Sequence, residues 1–156
     1  MLNAITIALL IGLGITLIVA AVIDWRTFTI SNKLNAGVAL TAPLFWWASA
    51  LPLWPGVAVQ VVAALVVFIL LTGAFSIGMM GGGDVKLAAA LALWIPLPST
   101  LHFLMWMSVV GGILTLGLLV AHRVRQQPGR PKIPYGVAIA IGAWATLGQR
   151  YLNQFA

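Results

Sequence analysis

Apolar positions run almost unbroken along this chain, and the interruptions divide them into six stretches of helical length. Reading between the breakers places spans near Leu2 to Ile23, Leu34 to Leu51, Gly56 to Ile77, Val85 to Ile95, Thr100 to Ala121 and Tyr135 to Tyr151. The breakers have physical causes. Pro52 and Pro55, and again Pro96 and Pro98, lack the amide hydrogens a helix interior uses, and a hairpin turn fits each pair. The run Gly81-Gly82-Gly83 is too flexible to be expected to propagate a helix. The fourth span is short. At about 11 to 13 residues it reaches under about 20 Å, less than the roughly 30 Å hydrocarbon core of a bilayer. Irregular backbone at that depth survives only when buried in protein or lining a wet cavity, so the glycine run predicts such a place beside it.

Composition removes most other classes. Of 156 residues, 62% are hydrophobic and 6% charged, against roughly a quarter charged in soluble domains, so the expected fold is all-α, a polytopic integral membrane protein with about six transmembrane helices, one of them short. One membrane-embedded domain over residues 1–156 is expected, with no soluble domain. The start, Met1-Leu2-Asn3-Ala4, lacks the basic region of a secretory signal and is read as part of a retained helix. The absence of cysteine excludes disulfides, thiolate catalysis and cysteine zinc sites.

The net charge of +6 is explained by topology. Arg26, Lys33, Lys86, Arg123, Arg125, Arg130 and Lys132 fall in the odd-numbered loops, seven of the eight basic residues, and Arg150 is the exception. The positive-inside rule then puts the odd loops in the cytoplasm and both termini outside, with the basic loops attracted to a lipid bilayer with anionic headgroups. No nucleic-acid recognition module competes with that explanation, and no nucleic acid partner is expected.

The acidic inventory narrows the chemistry further, because it consists of Asp24 and Asp84 alone. Asp24 closes the first span and Asp84 opens the fourth, so alternating topology puts both at the cytoplasmic boundary. Either aspartate by itself could snorkel and pair with a neighbour such as Arg26. Two carboxylates at one level can do more: sharing a proton, one activates water while the other protonates a carbonyl oxygen, as in aspartyl proteases. By the dipoles of their own helices, Asp84 at an amino end favours the carboxylate and Asp24 at a carboxyl end carries the shared proton.

The segments around these two residues, Asp24-Trp-Arg-Thr-Phe-Thr-Ile-Ser-Asn32 and Gly81-Gly-Gly-Asp-Val-Lys-Leu87, resemble the two signatures of the type IV prepilin peptidases, a family of GxGD membrane aspartyl proteases. Lys132-Ile-Pro-Tyr-Gly136 is similar to the family's segment before its last helix. The resemblance implies that Asp24 and Asp84 are the catalytic pair and that Gly81, Gly83, Asn32 and Lys86 belong to the supporting motif. It further implies cleavage of the basic leader from a prepilin substrate at the cytoplasmic face of the bacterial inner membrane. Long members carry an amino-terminal extension, often with a cysteine zinc site, associated with methylation. This sequence has neither, so it resembles the short, peptidase-only form serving tight-adherence (Flp-type) pili, with no methyltransferase extension. Ser31 stands where many members have proline.

The remaining polar residues leave alternatives open. Lys86 is about 200° around the helix from Asp84, so anchoring to lipid or a loop is favoured over direct pairing. Asn32 either caps the second helix or braces Asp24. The cluster Arg123, Arg125, Arg130 and Lys132 can hold a partner or simply obey the positive-inside rule. Tyr135 can orient a substrate carbonyl or sit in the interfacial aromatic belt. Ser76 and His122 lack anything to orient a serine dyad, His102 lies toward the other side, and no metal site or cofactor is expected. A small proton-coupled transporter or channel subunit using the same aspartates is the rival from another class, and an assembly scaffold that keeps the pair is a third. Oligomeric state and substrate-binding residues are not legible.

Overall fold

The computed structural model describes residues 3–126, 129 and 131–152. Leu2, where the first span was expected to begin, and Arg130 of the basic loop lie outside the described residues. Six α-helices are present among them: α1 (Ala4–Thr27), α2 (Asn32–Ala48), α3 (Ala58–Ser76), α4 (Gly82–Ala92), α5 (Leu97–Val124) and α6 (Tyr135–Leu152). A single π-type turn, Leu53–Val57, leads from the first proline pair into α3. The chain is an all-α polytopic membrane protein. Three stretches are long and apolar enough to cross a membrane: Ala4–Thr27, Leu53–Ser76 and Leu97–Val124.

These helices turn apolar side chains outward, as lipid-facing surfaces require. Ile7, Ile11, Ile15 and Ile18 on α1, Val62, Leu65 and Ile69 on α3, and Ile113 and Leu116 on α5 are all exposed. The short helix does the reverse. Val85, Leu87, Ala88, Ala90, Leu91 and Ala92 of α4 are buried, and so are Trp94 and Ile95 just beyond it. Because α4 packs against α2, α3 and α6, it has no need to span the bilayer by itself.

The boundaries correct the sequence reading in two places that matter. Helix α1 continues past Asp24 to Thr27, so Asp24 lies in its last turn rather than closing it. Helix α4 begins at Gly82 rather than Val85, so Gly82 and Gly83 are helical despite their flexibility. Tertiary contact explains this: a Cβ on Gly83 would lie 2.7 Å from the carbonyl oxygen of Ile30 and 3.3 Å from its amide nitrogen. Only glycine lets the first turn of α4 rest on that backbone.

Both ends of α4 are tied by side chains from other helices. At the carboxyl end, Trp46 Nε1 and Gln60 Nε2 donate to the Leu93 carbonyl at 2.7 and 3.0 Å. Trp94 stacks on Phe45 at 4.9 Å between ring centroids and donates from Nε1 to the Val38 carbonyl at 2.9 Å. At the amino end, Asn35 Nδ2 donates to the Gly83 carbonyl at 2.9 Å. The last carbonyls of a helix have no intrahelical partner, so Trp46 and Gln60 supply one at Leu93. At the amino end the free groups are amides, and Asn35 adds a tie to a carbonyl already inside the helix.

Candidate active site

Asp24 and Asp84 are the two acidic residues of the chain, and both are buried, at 2% and 6% exposure. They come from helices far apart in sequence, and one residue, Ile30, packs on the glycine beside each: Gly83, which precedes Asp84, and Gly136, whose amide bonds Asp24. An unpaired charge in an apolar bundle is costly, so two at one place are a candidate for function rather than for stability.

Each carboxylate is held by a backbone amide at a helix start. The Asp24 Oδ2 accepts the N–H of Gly136 at 2.7 Å. Gly136 is the second residue of α6, following Pro134, and its amide is one of those a helix leaves free. A Cβ on Gly136 would lie 2.8 Å from Asp24 Oδ2 and 2.7 Å from Ile30 Cδ1, so this approach also requires glycine. Asp84 sits in the first turn of α4 and accepts a hydrogen bond from the backbone of Gly81, in the manner of a capping box.

Each carboxylate therefore faces a helix amino end, α6 for Asp24 and α4 for Asp84. The helix-end argument that assigned the shared proton to Asp24 considered only α1, and with α6 included it no longer separates the pair.

Ile30, buried at the end of the α1–α2 loop, meets Gly83 through its backbone and Gly136 through its side chain. The segment between Asp24 and α2 thus lies between the first turns of α4 and α6, touching a glycine in each. Ser31 is the N-cap of α2, accepting the Leu34 amide at 3.2 Å, which corrects the expectation that Asn32 caps the helix or braces Asp24. Asn32 Oδ1 instead accepts from Lys86 Nζ at 2.8 Å on the exposed surface. Lys86 thereby links α4 to the first residue of α2 rather than to a loop.

Other candidates lie elsewhere. The Tyr135 hydroxyl is 3.3 Å from Thr115 Oγ1 on α5. Ser76 donates to the Gly73 carbonyl at 2.7 Å, and His122 Nε2 is 2.8 Å from the Gly129 carbonyl, so neither is engaged with the other. Among the described residues no cluster of three or more potential ligands could hold a metal ion.

Two residues at the site escaped the sequence reading. Gly136 stands in the sequence only as the last residue of the Lys132 to Gly136 motif, and its signal is a glycine at the second helical position, two residues after a proline. Asn35 is 5% exposed and bonds to the residue before Asp84. Its signal was an amide side chain one turn into an otherwise apolar helix.

A cavity of about 480 Å³ at the other end of α4 is lined by Gln60, Trp94, Pro96 and Arg150 among others, and by neither aspartate. A more open groove of about 420 Å³ between α2, α3 and α4 is lined by Asn32, Asn35, Lys86, Ala39 and Ala90 among others, and again by neither aspartate.

The fold and site define a helical membrane protein with two buried carboxylates held at the amino ends of α4 and α6. The chain belongs to the type IV leader peptidase family, which it matches over residues 5–116, a range containing both aspartates and Asn35. It is 30% identical over 161 aligned positions to a prepilin leader peptidase/N-methyltransferase of Aeromonas salmonicida, covering 92% of this chain and 53% of that protein. It is 34% identical over 116 positions to the protein of the same description from Xanthomonas campestris, covering 67% and 39%. It is 29% identical over 161 positions to that of Aeromonas hydrophila, covering 92% and 53%. The chain spans about half the length of the curated relatives it matches. No solved structure gives a match.

Proposed function

We propose that this protein is an aspartic endopeptidase that removes the leader peptide of type IV prepilins of the Flp type at the cytoplasmic face of the bacterial inner membrane. What supports the reading is the burial of Asp24 and Asp84, the chain's two acidic residues, on either side of Ile30 in a chain of the leader peptidase family.

In the proposed reaction one carboxylate takes a proton from water as the water oxygen attacks the scissile carbonyl. The other gives its proton to the carbonyl oxygen. Collapse of the tetrahedral intermediate breaks the C–N bond. The carboxyl that took the proton from water gives it to the departing amine, and the other carboxylate takes back the proton from the oxygen as the carbonyl re-forms. The two groups titrate as a pair, so acid and base are roles of the dyad. We place the whole chain in one membrane-embedded domain with both termini outside, because the basic residues of the odd loops favour that orientation. Those loops are suited to anionic lipid headgroups. Methylation of the new amino terminus, named for the relatives, is not part of the proposal.

The test is co-expression with an Flp-type prepilin and mass spectrometry of the pilin amino terminus. Loss of the leader by one cut before the hydrophobic helix is the expected result. Normally inserted protein that cleaves no prepilin, while passing protons across vesicles, would shift the assignment of Asp24 and Asp84 to a proton carrier.

A further inference from the structure

Helix α4 is tied at each end by a buried side-chain amide reaching from a neighbouring helix. Gln60, 4% exposed on α3, serves the carboxyl end and shares its acceptor, the Leu93 carbonyl, with Trp46. Asn35, 5% exposed on α2, serves the amino end as a side-chain donor to the Gly83 carbonyl. That carbonyl belongs to the peptide that leads into Asp84. A displacement of Asn35 therefore acts on the carboxylate through one peptide plane, whereas a displacement of Gln60 acts a full helix length away.

The second difference is in what is left unpartnered. Among the described residues the buried side-chain atoms with no hydrogen-bond partner are Asn35 Oδ1 and Asp84 Oδ1. The amide orientation of Asn35 follows from its contact: the Gly83 oxygen can only accept, so Nδ2 faces it and Oδ1 is turned elsewhere. A stranded buried acceptor is a cost that a purely structural amide avoids. Here the two stranded oxygens belong to residues joined through the Gly83 peptide.

We propose that Asn35 is a positioning residue for the reaction: it clamps the Gly83–Asp84 peptide through Nδ2, and its Oδ1 stays open, like that of Asp84, for a donor that enters with the reaction. The inference deepens the peptidase reading and rests on it.

Positioning within about 1 Å decides rates by as much as about a hundredfold, while binding of a long apolar substrate is spread over many contacts. Asn35→Leu keeps the branching and heavy-atom count of the side chain and removes both polar atoms. Measured on purified protein in nanodiscs with a prepilin, it is expected to lower kcat by about a hundredfold per folded molecule while KM stays within about twofold. Gln60→Leu is the matched control, since Trp46 still serves Leu93, and it is expected to leave both constants within about twofold. If Asn35→Leu does not insert, Asn35→Ala carries the test, because it loses the donor to Gly83 without adding bulk or charge, and the same fall in kcat is expected.

An Asn35 variant that keeps wild-type kcat, or that loses activity only in proportion to its folded fraction as Gln60→Leu would, overturns the inference and leaves the peptidase reading intact. Wild-type protein that cleaves no prepilin overturns the peptidase reading itself and this inference with it.

Discussion

The two ends of α4 solve the same problem in opposite ways. At the carboxyl end every requirement is closed within the bundle: the Leu93 carbonyl has two donors, and Trp94 stacks on Phe45 and bonds to Val38. At the amino end the packing is as tight, with Gly83 against Ile30, but a carboxylate is buried there and two acceptors are left open. One end is built from large aromatic rings and the other from glycine and short polar side chains. The difference teaches where stability and function part company in this helix. The aromatic end fixes α4 in the bundle, and that rigidity lets the other end hold groups that would otherwise be destabilising.

The contrast is broken most severely at the carboxylates. Asp24→Asn and Asp84→Asn are each expected to lower leader cleavage on the order of 10⁴-fold, as removal of one member of a catalytic unit does, with insertion unchanged. Mass spectrometry of the pilin amino terminus reads the loss. At the aromatic end the cost falls on folding instead. Trp94→Ala removes a ring that is 2% exposed and is expected to destabilise the protein by about 3–5 kcal/mol, measured by unfolding in detergent. Activity per folded molecule should fall much less.

Gly136→Ala sharpens the comparison from a third helix. Its Cβ would press on Asp24 and Ile30, so cleavage should drop by about a hundredfold while the melting temperature changes little by comparison. Lys86→Met gives the smallest effect. The exposed bond to Asn32 is expected to contribute about 1 kcal/mol or less, and both stability and cleavage should stay within severalfold of wild type.

The helical bundle was legible because hydrophobic runs and proline pairs act locally. Spans one to six of the sequence reading correspond to α1 to α6, with ends displaced by a few residues. The failures came where distant chain segments decide. Gly82 and Gly83 are weak helix formers, and they are helical where they pack on distant residues, Gly82 against Phe75 and Gly83 against Ile30. Asp24 and Asp84 stood out because no other carboxylate exists in the chain, whereas Gly136 and Asn35 act on them across 112 and 48 residues of sequence separation. Spacing along one helix carries no trace of such a partner. For the same reason the dipole of α1 was readable beside Asp24, and that of α6 was not.

The central claim is that carboxylates from α1 and α4 form one site, and the absence of cysteine makes a direct measurement possible. Asp24→Cys and Asp84→Cys combined place the only two thiols of the chain at these positions. The shortest bifunctional thiol reagents, applied in native membranes and followed by intact mass, should join the two thiols within one chain. Asp24→Cys combined with Gln60→Cys, at the other end of α4, should remain unjoined. Failure of the first pair to join, with both thiols reactive toward single-ended reagents, would contradict the account.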